Sequence, residues 1–195
     1  MNYNKIIDYY YPEANELRDI LVTHSSMVAQ RALKICAAHP EMGMNPYFLK
    51  AAAMLHDIGI CRCDAPGIQC FGKEPYIRHG IIGADLLDYY AGFVQKTEID
   101  MVAISDMEPY VRVCERHTGA GLTKEEIIKQ HLPLPHKDFL PMTLEEKVIC
   151  YADKFYSKTH PDREKTLEEA QRSLAKFGNE GLQRFMSWHE LFEGK

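Results

Sequence analysis

The sequence predicts an all-α fold, and three observations carry that reading. Apolar residues recur at helical spacing, as in the stripe Leu17, Leu21, His24, Val28 and Ile35. Helix-start signals stand where such runs begin: Asn45-Pro46, Thr123 with Glu126, and Thr143 with Glu146. Sustained period-two alternation with β-branched enrichment, the mark of strands, is missing.

Taken in order, helices are expected near 4–10, 14–38, 46–58, 79–91, 98–106, 109–117, 124–130, 144–158, 165–177 and 180–192. The second carries the stripe through Leu17 and Ile35, which should face the core. The third has Asn45 as its cap and a proline at its first position, and runs apolar from Phe48 to Leu55 before Gly59. Gly92 is expected to stop the fourth helix and Gly178 the penultimate one. Residues 61–77, rich in glycine, proline and cysteine, are expected to form a loop, and 132–142 a second irregular segment. Leu167, Ala170, Leu174 and Phe177 make one apolar stripe near the C-terminus; Leu182, Phe185, His189 and Phe192 make another, for packing back on the domain. Trp188 and the nearby phenylalanines are equally suited to a homodimer face.

With 195 residues the chain fits a single domain, here 1–195, and its 46% hydrophobic and 26% charged residues are ordinary for a soluble globule. No apolar run approaches the roughly 18 residues needed to span a bilayer, and the polar start is no signal sequence, so no membrane association and a cytoplasmic location are expected. A net charge of −5 and the lack of an arginine-rich stripe argue against nucleic acid as a primary partner. The six cysteines read as reduced thiols: Cys36, Cys114 and Cys150 lie in apolar contexts. Cys61, Cys63 and Cys70 offer a competing structural zinc site, but Cys-x-Cys is not the usual knuckle and a fourth thiolate is not nearby.

The chemistry concentrates elsewhere. His56-Asp57 sits after eight mostly apolar residues, with His24 upstream and His79, His117 and Asp153 downstream. A carboxylate beside an imidazole in such a run is costly unless compensated, and a divalent cation would compensate it. If both lie in the last turn of a helix, their side chains diverge by about 100 degrees, yet both can reach one ion, or the aspartate can bridge two. Taken singly, His24 reads as a hydrogen-bonded core histidine, His79 as a helix-start histidine, and His117 as a C-terminal histidine answering the helix dipole. His131 and His136, in a loop, could touch substrate but read first as solvated loop histidines; His160 and His189 lie far from the set and are excluded as ligands.

The order H, HD, H, H, D resembles the HD superfamily of metal-dependent phosphohydrolases. The strings Met54-Leu55-His56-Asp57-Ile58-Gly59, ERHTGAGLTKEE at 115–126 and MTLEEKVICYADK at 142–154 bring it close to the small stand-alone HDIG-domain proteins. The layout is also similar to the symmetrical diadenosine tetraphosphate hydrolases and, more distantly, to the HD-GYP cyclic dinucleotide phosphodiesterases. It covers about 13–157, leaving helices from 159 onward outside the motifs.

The resemblance implies a compact helical HD-domain bundle in which His24, His56, Asp57 and Asp153 hold a primary metal. His79 and His117 would hold a second ion bridged by Asp57. Two ions are implied, with iron or manganese favoured by analogy and zinc, nickel or magnesium compatible. The implied reaction is cleavage of a phosphate ester or anhydride of a nucleotide, dinucleotide or similar small molecule by metal-activated water, with monoester and diester both open. Arg62, Lys73, Arg78, Arg116 and Lys154 flank the motifs and would set a local positive field. Asp57, Arg116, Arg62 and Lys154 are the candidate catalytic groups, Arg116 as phosphate clamp. Several relatives carry a lysine where this chain has Ile60; either Arg62 supplies that charge at slightly different reach, or leaving-group assistance is absent. Two alternatives stand beside the hydrolase: an HD-type di-iron oxygenase, and a non-catalytic module that senses a metabolite.

Overall fold

The computed structural model describes residues 1–97 and 106–194. Its helices are α1 (Tyr3–Tyr10), α2 (Glu16–Ala38), α3 (Pro46–Leu55), α4 (His79–Thr97), α5 (Glu108–Arg116), α6 (Lys124–Lys129), α7 (Leu144–Asp153), α8 (Leu167–Ala175) and α9 (Asn179–Phe192). They form the all-α architecture that the helical spacing predicts. The helix expected at 98–106 falls almost wholly outside the described residues.

Local chemistry sets most helix starts. The Asn45 side chain accepts from the amides of Tyr47 and Phe48, and Pro46 needs no donor partner at the first position. Thr123 and Glu126 close a full capping box. At α7 only half of one forms: Thr143 accepts from the Glu146 amide, but the Glu146 carboxylate turns instead to the Met142 amide at 2.7 Å and Arg116 at 3.1 Å. Thr166 and Glu169 cap α8 in the same reciprocal way as α6.

Four expectations need correction. Helix α3 ends at Leu55; His56 is its C-cap and Asp57 has φ −105° and ψ 12°, opening a 3-10 turn over Ile58–Arg62. Helix α4 runs through Gly92 to Thr97, because an isolated glycine only weakens a helix. Helix α7 stops at Asp153 rather than 158, and the chain reverses into an antiparallel pair, β4 (Tyr156–Ser157) and β5 (His160–Glu164). The segment 61–77 also contains strands: β1 (Cys63–Ala65) pairs antiparallel with β2 (Cys70–Phe71) and parallel with β3 (Glu74–Pro75). These strands are too short to show alternation, which is why the sequence hides them.

The core gathers the inner faces of α2, α3, α4 and α7, with Leu21, Val28, Leu49, Leu55, Leu87 and Ile149 buried. The C-terminal helices share it. Phe185, Trp188 and Phe192 are buried, Phe185 and Phe192 against Tyr151, so these rings pack back on the domain. Arg31 on α2 holds Glu193 with 2.7 Å contacts, bonds Glu164, and stacks over Phe155. A smaller apolar cluster of Leu122, Ile127, Leu134 and Phe139 lies apart from the main core.

Tight backbone approach fixes the segment after His56. The buried Tyr11 hydroxyl donates to the Ile58 carbonyl at 2.8 Å and accepts from the Cys61 amide at 3.1 Å, tying α1 to that turn. Gly59 lies against α4 so closely that a Cβ there would meet the His79 carbonyl oxygen at 2.2 Å and the Gly83 nitrogen at 2.4 Å. Both obstacles are backbone, so α4 itself would have to move. Gly59→Ala is therefore expected to destabilise the protein by about 1–3 kcal/mol in urea unfolding. Gly83→Ala, whose nearest obstacle is 3.3 Å away, should cost clearly less; equal losses would show that this contact is not tight.

Candidate metal centre

Helix ends deliver the polar residues to one point. His56 and His117 are the C-caps of α3 and α5, His79 is the first residue of α4, Asp153 the last of α7, and His24 lies on the buried face of α2. All five are buried, and Asp57 at their centre has no exposed surface. Because the chain leaves the α conformation at Asp57, adjacent His56 and Asp57 converge: His56 Nε2 is 3.0 Å from Asp57 Oδ2.

The two carboxylate oxygens of Asp57 face different partners. Oδ2 lies 3.1 Å from His24 Nε2 and 3.0 Å from His56 Nε2. Oδ1 lies 3.4 Å from His79 Nε2 and 3.3 Å from His117 Nε2. Asp153 Oδ1 completes the first side, 3.0 Å from His24 and 3.5 Å from His56. Among the described residues, His24, His56, Asp57 and Asp153 form one group able to hold a metal, and Asp57, His79 and His117 another. No cysteine belongs to either, so Cys61, Cys63 and Cys70 do not build a competing site.

Tautomers show what these atoms are prepared for. The Nδ1 of His56, His79 and His117 each donates to the carbonyl three residues earlier, on Ala53 at 2.6 Å, Tyr76 at 2.7 Å and Cys114 at 2.7 Å. A carbonyl only accepts, so Nδ1 carries the proton and the neutral ring presents a bare Nε2. Burial pushes His79 down to about 3 and also lowers His117, so both rings are neutral. Their Nε2 atoms nevertheless face each other at 3.0 Å. Two lone pairs at that distance repel unless a cation lies between them.

A cation fits the rest of the shell as well. His56 Nε2 and Asp57 Oδ1 are buried without a hydrogen bond. Two donor atoms bound to one ion at about 2.1 Å lie about 3.0 Å apart at a right angle and about 3.4 Å apart at a tetrahedral angle. The imidazole-to-carboxylate separations span that interval, so this nitrogen and oxygen donor set suits a divalent transition metal.

Neighbouring charges set the protonation of the carboxylates and of His56. Burial alone would lower His56, but Asp57 and Asp153 raise it to about 9. Burial would raise the Asp57 carboxyl, and the charges on His56 and Lys158 override it, holding it well below the ordinary range. Lys158 Nζ stands 2.6 Å from Asp57 Oδ2 with its side chain 11% exposed. Sequence reasoning missed this residue for a physical reason. On a helix running to 158 it would point about 140 degrees away from Asp153; the break after Asp153 and the turn into β4 bring it back.

A cavity of about 700 Å³ opens beside the centre, reaching His79, Asp153, Lys154, Lys158 and Lys165. Lys154 Nζ is 2.6 Å from Asp153 Oδ2 and donates to the His117 carbonyl at 3.1 Å. Neither Arg62 nor Arg116 lines it: Arg62 is exposed, and Arg116 is bonded to Glu146. His131 and His136 are exposed and outside the lining as well. Part of the wall comes from Tyr156 to Phe177, a stretch beyond the sequence motifs.

A family profile described as HD domain matches residues 21–157. An uncharacterised protein of Methanocaldococcus jannaschii is 34% identical over 135 residues, 68% of this chain and 64% of that protein. A protein of Picrophilus torridus named tRNA (cytidine(56)-2'-O)-methyltransferase is 32% identical over 165 residues, 80% of this chain and 40% of its own length. Its namesake in Thermoplasma volcanium is 30% identical over 178 residues, 87% of this chain and 42% of its own. The chain thus spans under half of both methyltransferase-named proteins and 64% of the third. No solved structure matches it. No described helix is long and apolar enough to cross a membrane.

Lys158 and a bound metal would compensate the same buried carboxylate, which sets a double test. Lys158→Met should destabilise the metal-free protein by up to about 3 kcal/mol, the loss typical of unpairing a buried charge. Saturating manganese(II) should restore most of that loss in thermal unfolding. An equal loss with and without metal would show that the ammonium does not balance Asp57.

Proposed function

Because the chain belongs to the HD-domain family, we propose that it is a metal-dependent phosphohydrolase cleaving a phosphate ester or anhydride of a small molecule, nucleotides included. The observation that supports this most directly is the division of the Asp57 carboxylate, one oxygen toward His24 and His56 and the other toward His79 and His117. We assign one ion to His24, His56, Asp57 and Asp153 and a second to His79, His117 and Asp57, with iron or manganese preferred. Such a pair supplies charge neutralisation at phosphoryl oxygens and a nucleophile from water at neutral pH.

The chain's own groups do the rest. The carbonyls of Ala53, Tyr76 and Cys114 hold three imidazoles in the ligating tautomer, so no rearrangement is needed when an ion arrives. Lys154 stays protonated: burial would lower it, and Asp153 raises it. Lys158 is raised well above the ordinary range because Asp57 outweighs burial. Both ammoniums line the cavity and can donate to phosphoryl oxygens, so we assign to them the phosphate contacts expected of Arg116 and Arg62. The methyltransferase names of two relatives transfer no step, since the chain spans under half the length of each.

Elemental analysis of protein purified without chelators or a histidine tag is expected to give about two transition-metal ions per chain. His79→Ala or His117→Ala should keep about one, and a variant keeping two would refute the division of ligands. Asp57→Ala should lose both, and with them phosphate release from a panel of phosphate esters, nucleotides and dinucleotides by about 100-fold or more, while far-ultraviolet circular dichroism stays helical. Full activity in Asp57→Ala would sink the hydrolase reading.

A further inference from the structure

We propose that the substrate is a phosphate ester whose alcohol part is apolar, such as a hydrocarbon chain, rather than a nucleoside; this rests on the hydrolase reading and narrows it. The cavity beside the metal centre is the gap between two apolar clusters. Ile68, Leu174 and Tyr156 on one side belong to the main core, and Leu122, Leu132 and Ile77 on the other belong to the smaller cluster. Phe177 lines it too, a large apolar ring left 66% exposed.

The charged groups of the lining gather at the metal end. Lys158 and Lys154 stand against Asp57 and Asp153, and Lys165 Nζ reaches the Lys154 carbonyl at 3.4 Å. These three ammoniums face a single carboxylate, Asp153, within the lining, which suits an anionic head.

Several of the remaining polar side chains are already bonded within the chain. Gln130 Nε2 donates to the Phe177 carbonyl at 3.0 Å, Ser173 Oγ to the Glu169 carbonyl at 2.9 Å, and the Ser157 and Thr159 hydroxyls bond each other at 2.8 Å. Tyr76, the ring nearest the metal end, gives one face to His79, with centroids 4.7 Å apart and planes 22° apart. A base and sugar buried here would leave their own polar groups unpaired, whereas a hydrocarbon would lose nothing. A site of this kind discriminates by length, each buried methylene tightening binding about fourfold.

Calorimetry of the metal-loaded protein with ethylphosphonate, n-octylphosphonate and adenosine 5′-monophosphate tests this below the micellar concentration. Octylphosphonate is expected to bind about 100-fold or more tightly than ethylphosphonate and more tightly than the nucleotide. Leu132→Gln and Phe177→Ser, the second at an exposed position that tolerates change, should shrink the octyl-to-ethyl ratio about tenfold. An octyl preference under about threefold, an unchanged ratio in both variants, or tighter nucleotide binding would overturn the proposal. Phosphate release from n-octyl phosphate separates the two readings. Release from nucleotides but not from octyl phosphate defeats the apolar substrate and keeps the hydrolase. Tight octyl binding without release from any ester supports the ligand class and defeats the hydrolase.

Discussion

A carboxylate without exposed surface, Asp57, is the constraint on which the rest of the structure depends. An ionised carboxylate taken out of water costs several kcal/mol unless charges and hydrogen bonds replace its hydration. Here four imidazoles and one ammonium surround it, contributed by α2, α4, the ends of α3 and α5, and the turn after α7. Elements far apart in sequence must therefore meet for the chain to fold with Asp57 inside. Packing them elsewhere would leave the carboxylate uncompensated, so electrostatics and core packing select the same arrangement.

Helix termination lets that arrangement form without orphaned backbone. The last carbonyls of a helix have no partner within it. In α3 and α5 the free carbonyls of Ala53 and Cys114 are taken by the Nδ1 atoms of His56 and His117, each the residue that ends its helix. One hydrogen bond thus satisfies a helix end, fixes a tautomer and aims Nε2 at Asp57. Glycine has the complementary role: Gly59 allows α4 to approach until His79 faces His117. These contacts explain why His56-Asp57 and the glycine two residues later form one structural unit.

The centre was more legible in the sequence than its surroundings. Histidine and aspartate on separate, apolar segments signal a buried polar cluster whatever the exact helix ends, so a boundary error of three residues at α3 left the ligand set intact. The same kind of error at α7 hid Lys158. A charged residue gains meaning from its direction, and direction depends on whether the helix continues past Asp153. The cavity was hidden for a related reason. Its wall includes Leu174 and Phe177, which read as an ordinary helical stripe, and only tertiary packing shows that Leu174 is buried and Phe177 is not. The short strands of 61–77 and 156–164 lack the length at which alternation becomes visible.

The division of labour between arginine and lysine accounts for Arg116 lying outside the cavity lining. A planar guanidinium holds a fixed geometry with carboxylates, and the arginines named here are used that way: Arg31 with Glu164 and Glu193, Arg184 with Glu126, Arg116 with Glu146. Arg184 also takes the Ala120 and Gly121 carbonyls, locking α9 onto the turn that follows His117. An ammonium on a flexible stem can instead follow a moving charge, and it is lysines that border the cavity. The net charge of −5 is therefore a poor guide to the site. Acidic groups such as Glu126, Glu146 and Glu193 are neutralised where helices join, while the field inside the cavity is set by Lys154, Lys158 and Lys165 at short range.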